Sequence, residues 1–174
     1  MDAGHLAHIR MLMLDVDGVL TTGELAYTGG DADRKVFFVQ DGGAIKLWQN
    51  SGGLVAVLSG RESEAVTRRV KELGIPFVVQ GLADKLPAYE GLCREAGVVD
   101  AEVAFMGDDL LDVGPMQRCG YAIAPANALP VVKRAARFVT RRAGGQGAVV
   151  EAVERLLRHN GAWTSAMRSF DVHG

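Results

Sequence analysis

Apolar residues along this chain gather in short runs separated by longer stretches of amphipathic spacing. Continuous runs at Ile9–Leu14, Leu54–Leu58, Phe77–Val79, Val103–Met106, Tyr121–Ile123 and Phe138–Val139 predict strands buried on both faces. Between them, apolar residues at helical spacing predict helices over Gly43–Asn50, Glu62–Leu73, Asp84–Ala96, Leu110–Cys119, Leu129–Ala136 and Gln146–His159. Strand and helix alternate, which is the pattern of an α/β fold: a mostly parallel sheet with helices on both faces. One interruption breaks the rhythm. Glu24–Thr28 and Arg34–Gln40 read as the limbs of a β-hairpin around Gly29-Gly30-Asp31, inserted between the first strand and the first helix. It is too short for a folded cap domain, so it reads as a lid or as an oligomer contact. Residues 1–160 form one expected domain, and 161–174 read as a polar tail that is flexible or docks on a neighbour.

Composition narrows the class. At 174 residues, 48% hydrophobic and 23% charged, the chain suits one globular domain with a sizeable core. A net charge of −2 gives no basis for nucleic acid or an anionic membrane as partner. An anionic ligand would have to be drawn in by a local site. Cys93 and Cys119 lack metal-ligand spacing and read as buried thiols suited to a reducing cytoplasm. The first ten residues lack the core of a signal peptide, and no apolar run has the length of a membrane span.

The candidate chemistry lies at the ends of successive strands. After Met11–Leu14 come Asp15 and Asp17, then Gly18. Residues two apart in a strand share a side. Two carboxylates therefore meet at the carboxyl edge of a buried strand, where open α/β sheets bind ligands. Such a pair invites a hard cation, and a carboxylate beside one can attack phosphorus. Taken alone, the pair equally suits a helix cap or a turn. Leu58 is followed by Ser59, Gly60 and Arg61: a hydroxyl that can bind a phosphate oxygen or cap a helix, and a guanidinium suited to an anion or to solvent. Asp84 and Lys85 follow the third run, with Asp84 a helix cap and Lys85 either aimed at the site or a surface lysine. Met106 leads into Gly107, Asp108, Asp109 and, one helical turn on, Asp112. Capping explains one of these three acids but not all, so a metal site is the stronger reading.

In order, the four strand ends offer two acids, a hydroxyl, a lysine and more acids. That series resembles the haloacid dehalogenase superfamily of phosphotransferases, and its capless subgroup in particular. The resemblance is carried by Asp15–Thr21, Asp41–Ile45, Leu58–Arg61, Leu73–Ile75, Gln80–Lys85, Met106–Asp109 and Gly144–Ala148. It implies a three-layer Rossmann-like fold and a Mg²⁺-dependent phosphatase acting on a sugar-acid phosphate through an aspartyl-phosphate. It further implies Asp15 as nucleophile and Asp17 as general acid/base. Mg²⁺ would be held by the Asp15 carboxylate, the Asp17 carbonyl and Asp108. Ser59, with Gly60, and Lys85 would bind the phosphoryl group, and Asp109 and Asp112 would support the metal and lysine from behind. Arg61 and the Asp41-Gly42 loop become candidates for contacting the sugar acid. Arg61 and Glu72 favour an eight-carbon acid, with a nine-carbon acid as the alternative. The subgroup is homotetrameric, its hairpins packing together and helping to close a neighbour's site. A non-catalytic tetramerisation module is the alternative from a different class.

Overall fold

The computed structural model describes residues 8–27 and 33–168. Six strands form one parallel sheet: β1 (Met11–Leu14), β4 (Leu54–Leu58), β5 (Phe77–Val79), β6 (Val103–Met106), β7 (Tyr121–Ala124) and β8 (Phe138–Val139). Their order is β5-β4-β1-β6-β7-β8. β2 (Ala26–Tyr27) and β3 (Asp33–Arg34) pair antiparallel outside it. The helices are α1 (Val39–Asn50), α2 (Glu64–Leu73), α3 (Leu86–Ala96), α4 (Val113–Arg118), α5 (Pro130–Ala135), α6 (Ala148–His159) and α7 (Trp163–Arg168). This is the expected α/β architecture.

Period-two alternation within the strands builds two cores from continuous apolar runs. Leu12 and Leu14 of β1 face a core completed by Ile45 and Trp48 of α1, Val66 and Val70 of α2, and Val149, Val153 and Leu156 of α6. Met11 and Met13 face the other side, against Tyr89 and Leu92 of α3, Met116 of α4 and Val132 of α5. Glycines close α2 and α3 in the left-handed conformation, at Gly74 and Gly97.

The boundaries differ from expectation in places, for local reasons. β1 starts at Met11 because the Ile9 backbone bonds the Asn160 side chain instead, accepting from Nδ2 at 2.7 Å and donating to Oδ1 at 3.1 Å. The second hairpin limb is short: only Asp33–Arg34 pairs, and α1 begins at Val39 rather than Gly43, absorbing Gln40 from the expected limb and Asp41 and Gly42 from the expected loop. The hairpin's expected turn at Gly29-Gly30-Asp31 lies outside the described residues. The expected helix from Leu110 to Cys119 opens as a 3₁₀ turn over Leu110–Asp112 before α4. In the tail, 163–168 forms α7, whose Ala166 is buried beside α6, while 169–174 lies outside the described residues.

From β1 the chain moves first to β4 and β5, then returns to the far side of β1 with β6, β7 and β8. The sheet order therefore reverses between β1 and β6. The crevice beyond the carboxyl ends of strands at such a point is where open α/β sheets place ligands.

Candidate active site

Asp15 follows β1 and donates its N–H to Met106 O of β6 at 3.0 Å, so the two strand ends stay joined beyond the sheet. The Asp15 side chain is 7% exposed. Lys85 reaches it from the loop before α3, with Nζ 2.5 Å from Asp15 Oδ1 and 2.7 Å from Asp112 Oδ1. Lys85 is almost wholly buried, and Asp84 caps α3 by accepting from Leu86 N at 2.9 Å. The surface reading of Lys85 is therefore excluded. Asp112, fully buried, also accepts from the N–H groups of Asp108 and Asp109 through Oδ2, at 2.9 and 3.0 Å. It thus fixes both the lysine and the loop that carries Asp108.

Asp108 presses on the first motif. A Cβ on Gly18, whose φ is +86°, would lie 2.0 Å from Asp108 Oδ2. Only glycine tolerates both the backbone conformation and that approach. The loop is held from its other side by Asn127, which donates to Gly18 O at 2.9 Å and accepts from Gly144 N at 2.7 Å. Gly144 packs so tightly on the loop that a Cβ would sit 1.8 Å from Gly18 O.

Charge is unbalanced in this cluster. Carboxylate oxygens of Asp15, Asp108 and Asp112 lie within 4.8 Å of one another. Three carboxylates against one ammonium leave two negative charges when all are ionised. Burial, then the Asp112 charge, push the Asp15 pKa well above the usual carboxylate range despite Lys85. The same two causes raise Asp108 to about 6. Burial alone would lower the Lys85 pKa, but Asp15 and Asp112 overcome it and the net shift is upward. Asp108 Oδ1 is buried without a hydrogen-bond partner. An orphaned carboxylate oxygen, a set of hard oxygen donors and a surplus of two negative charges together fit a divalent cation such as Mg²⁺. Asp112 is already engaged by Lys85 and two N–H groups, which leaves Asp15 and Asp108 as the carboxylates open to it.

The other expected residues divide. Ser59 stands one residue past β4, buried, its Oγ accepting from Arg61 N at 3.3 Å. It does not cap α2, whose N-cap is Ser63. Gly60 approaches Leu111 and Leu82, and Arg61 is exposed beside it. Asp41 and Gly42, expected against the sugar acid, have other partners. Asp41 is buried in α1, and its two oxygens accept from Gly147 N and Val150 N at the start of α6, at 3.3 and 3.1 Å. Gly42 leaves room for the Arg69 guanidinium. Asp109, expected to support the metal, is exposed and turns its carboxylate to Leu110 N at 2.7 Å, capping the 3₁₀ turn. Asp17, partly open to solvent, is met by Lys35 from the hairpin's return limb at 2.5 Å. Lys35 was not among the expected site residues; its only sequence signal is a cation in a hairpin that reads as a lid or as an oligomer contact.

The model of the haloacid dehalogenase-like hydrolases matches residues 77–153. The chain is 41% identical over 155 residues to the 3-deoxy-D-manno-octulosonate 8-phosphate (KDO 8-phosphate) phosphatase of Escherichia coli K12, covering 88% of this chain and 82% of that one. It is 38% identical over 156 residues to the Haemophilus influenzae phosphatase of the same name, covering 90% and 87%. The chain belongs to the haloacid dehalogenase-like hydrolases. Among solved structures, it resembles the Moraxella catarrhalis KDO 8-phosphate phosphatase in complex with a magnesium ion, a phosphate ion and KDO, at a TM-score of 0.91 and 35% identity over 94% of both chains. A probable YrbI family phosphatase from Pseudomonas syringae matches with a TM-score of 0.92 and 38% identity, over 96% of this chain and 94% of that one.

Proposed function

We propose that this chain is a Mg²⁺-dependent phosphatase that hydrolyses KDO 8-phosphate to KDO and phosphate. The observation that carries the reading is the Asp15–Lys85–Asp112 cluster at the sheet's switch point, with the orphaned Asp108 oxygen beside it. The 41% identity to a KDO 8-phosphate phosphatase over most of the chain supports the substrate.

In this reading the Asp15 carboxylate attacks phosphorus, and the bond from phosphorus to the sugar oxygen breaks. Asp17 delivers a proton to that departing oxygen. Water then attacks the aspartyl-phosphate, Asp17 takes its proton, and Asp15 is released with inorganic phosphate. Lys85 and the Ser59 hydroxyl, with backbone N–H groups near Gly60, oppose charge on the phosphoryl oxygens. Asp15, Asp108 and the Asp17 carbonyl would hold Mg²⁺, which supplies charge neutralisation at the phosphoryl group. Asp112 holds Lys85 in place. Arg61, exposed at the mouth, is the candidate for the sugar acid's carboxylate.

A homotetramer fits the exposed apolar residues that flank the hairpin: Leu25, Val36 and Val39 are 44%, 69% and 81% exposed. A cytoplasmic setting fits the unpaired cysteines. Among the described residues, no helix is long and apolar enough to cross a membrane.

Phosphate release from KDO 8-phosphate, measured with Mg²⁺ and with EDTA beside the nine-carbon KDN 9-phosphate, tests the reading. The expected result is Mg²⁺-dependent release with preference for the eight-carbon ester. Preference for KDN 9-phosphate overturns the substrate, and release from neither overturns the enzyme.

A further inference from the structure

We propose that Lys35 is a positioning residue for Asp17, so that the hairpin insertion helps to aim the general acid. This rests on the phosphatase reading above. Lys35 comes directly after β3, on the limb that returns to α1. Its Nζ lies 2.5 Å from Asp17 Oδ1. The lysine side chain is only 3% exposed, whereas that of Asp17 is 23% exposed. A long, flexible cation is therefore almost fully enclosed, with its head delivered to a carboxylate that faces the open side of the site. Lysine usually keeps its charged head in water even where its stem packs, so enclosing stem and head together, at the entropy cost of a single geometry, is specific placement.

The arrangement parallels the other half of the motif. Asp15 is held by Lys85, which a third residue, Asp112, fixes from behind. Asp17 is held by a different lysine from a different element. The two carboxylates of one motif thus have separate cationic supports, one from the α/β body and one from the insertion. Asp17 sits on the loop after β1, where its carboxylate is free to turn about its own side-chain bonds. Lys35 restricts that turning. A proton donor must lie within hydrogen-bond reach of the oxygen it protonates. Restricting the Asp17 carboxylate therefore acts on transfers that need that proton, and not on those that do not.

Leaving-group chemistry separates these cases. The sugar ester departs as an alkoxide and needs a proton. 4-Nitrophenyl phosphate departs as a stable phenolate and does not. The specificity constant, kcat/KM, reports events up to the first phosphoryl transfer, so later water activation by Asp17 does not enter it. Lys35→Met and Lys35→Arg are compared with the wild-type chain on both esters, with Mg²⁺ affinity measured for each by calorimetry. The expected result for Lys35→Met is a loss of roughly a hundredfold in kcat/KM on KDO 8-phosphate and under about threefold on 4-nitrophenyl phosphate, at unchanged Mg²⁺ affinity. Lys35→Arg, which keeps the cation, should restore most of the activity on the sugar ester. Equal losses on both esters, or no loss on either, would overturn the proposal while leaving the phosphatase reading intact. A wild-type chain inactive on both esters overturns both readings at once.

Discussion

Replacing Lys85 with methionine isolates the energetics of the cluster. Methionine keeps most of the stem's volume and removes the charge. In the folded chain, Asp15 Oδ1 and Asp112 Oδ1 then lose an ammonium at 2.5 and 2.7 Å, and both carboxylates are buried. Removing one partner of a buried ion pair typically costs about 3–5 kcal/mol, because the remaining charge is left uncompensated. For a chain of this size, each kcal/mol moves Tm by about 2–4 °C, so Lys85→Met should lower the metal-free Tm by about 6–20 °C. The cause is tested by a double-mutant cycle with Asp112→Asn, followed by urea unfolding in EDTA so that no cation substitutes for the ammonium. Asparagine keeps an acceptor for the N–H groups of Asp108 and Asp109 while removing one of the stranded charges. The double variant should therefore be more stable than the sum of the single changes predicts, by about 1–3 kcal/mol. Additivity within about 0.5 kcal/mol would mean that Lys85 stabilises by packing, and the electrostatic reading of the cluster would fail.

Three further outcomes follow. Asp15→Asn should fold, since it relieves a buried like charge at constant size, and should lose at least about a thousandfold in turnover with no phosphate trapped on the protein; turnover near wild type removes Asp15 as nucleophile. Because the metal-free Asp108 carboxyl titrates near 6, raised by burial and then by Asp112, its proton competes with Mg²⁺. Affinity should fall as pH drops below about 6, approaching tenfold per unit, while the metal-free fold loses stability as pH rises through the same value; calorimetry giving a flat affinity from pH 7 to 5 contradicts the assignment. Asp41→Ala should cost about 1–2 kcal/mol by uncapping α6 while KM per folded molecule stays unchanged, and a large rise in KM would return Asp41 to the substrate.

The parts of the fold readable in advance were those whose signal is local. Continuous apolar runs mark the parallel strands because both faces of the sheet are covered, and β4, β5, β6 and β8 have the expected limits. The Asp15, Lys85, Asp108 and Asp112 cluster was legible because each residue lies in the segment that leaves the carboxyl end of a strand, within six residues of it, and the strands place these ends along one edge. Long-range partners were not legible. Asp41 sits in a glycine-rich segment that reads as a loop, yet its carboxylate is used by backbone more than 100 residues later. The glycines also hid the first turn of α1, where low helix propensity is outweighed by the close approach of Gly42 to Arg69 and Leu73 and by the packing of the helix as a whole on α6. Lys35 carries no mark that separates it from a solvent-exposed cation in a hairpin. For α7 a signal was present, since Trp163 and Met167 are spaced four apart, but six residues are too few to stand out from a polar tail.

The placement of β1 also matters for how the chain comes into being. Of the six sheet strands, β1 is made first and completed late: Met11 pairs with Leu54 on one side and with Val103 on the other. During synthesis, Met11–Leu14 must wait through some ninety further residues for its second neighbour, an apolar segment with one edge unsatisfied. Pairings this distant in sequence slow folding and lengthen exposure of sticky intermediates. Asp15 and Asp108 come together only when that last pairing forms. A ribosome-bound fragment ending before β6 therefore has neither the second partner of β1 nor the Asp108 half of the site, so the carboxylate cluster is assembled only once β6 has paired.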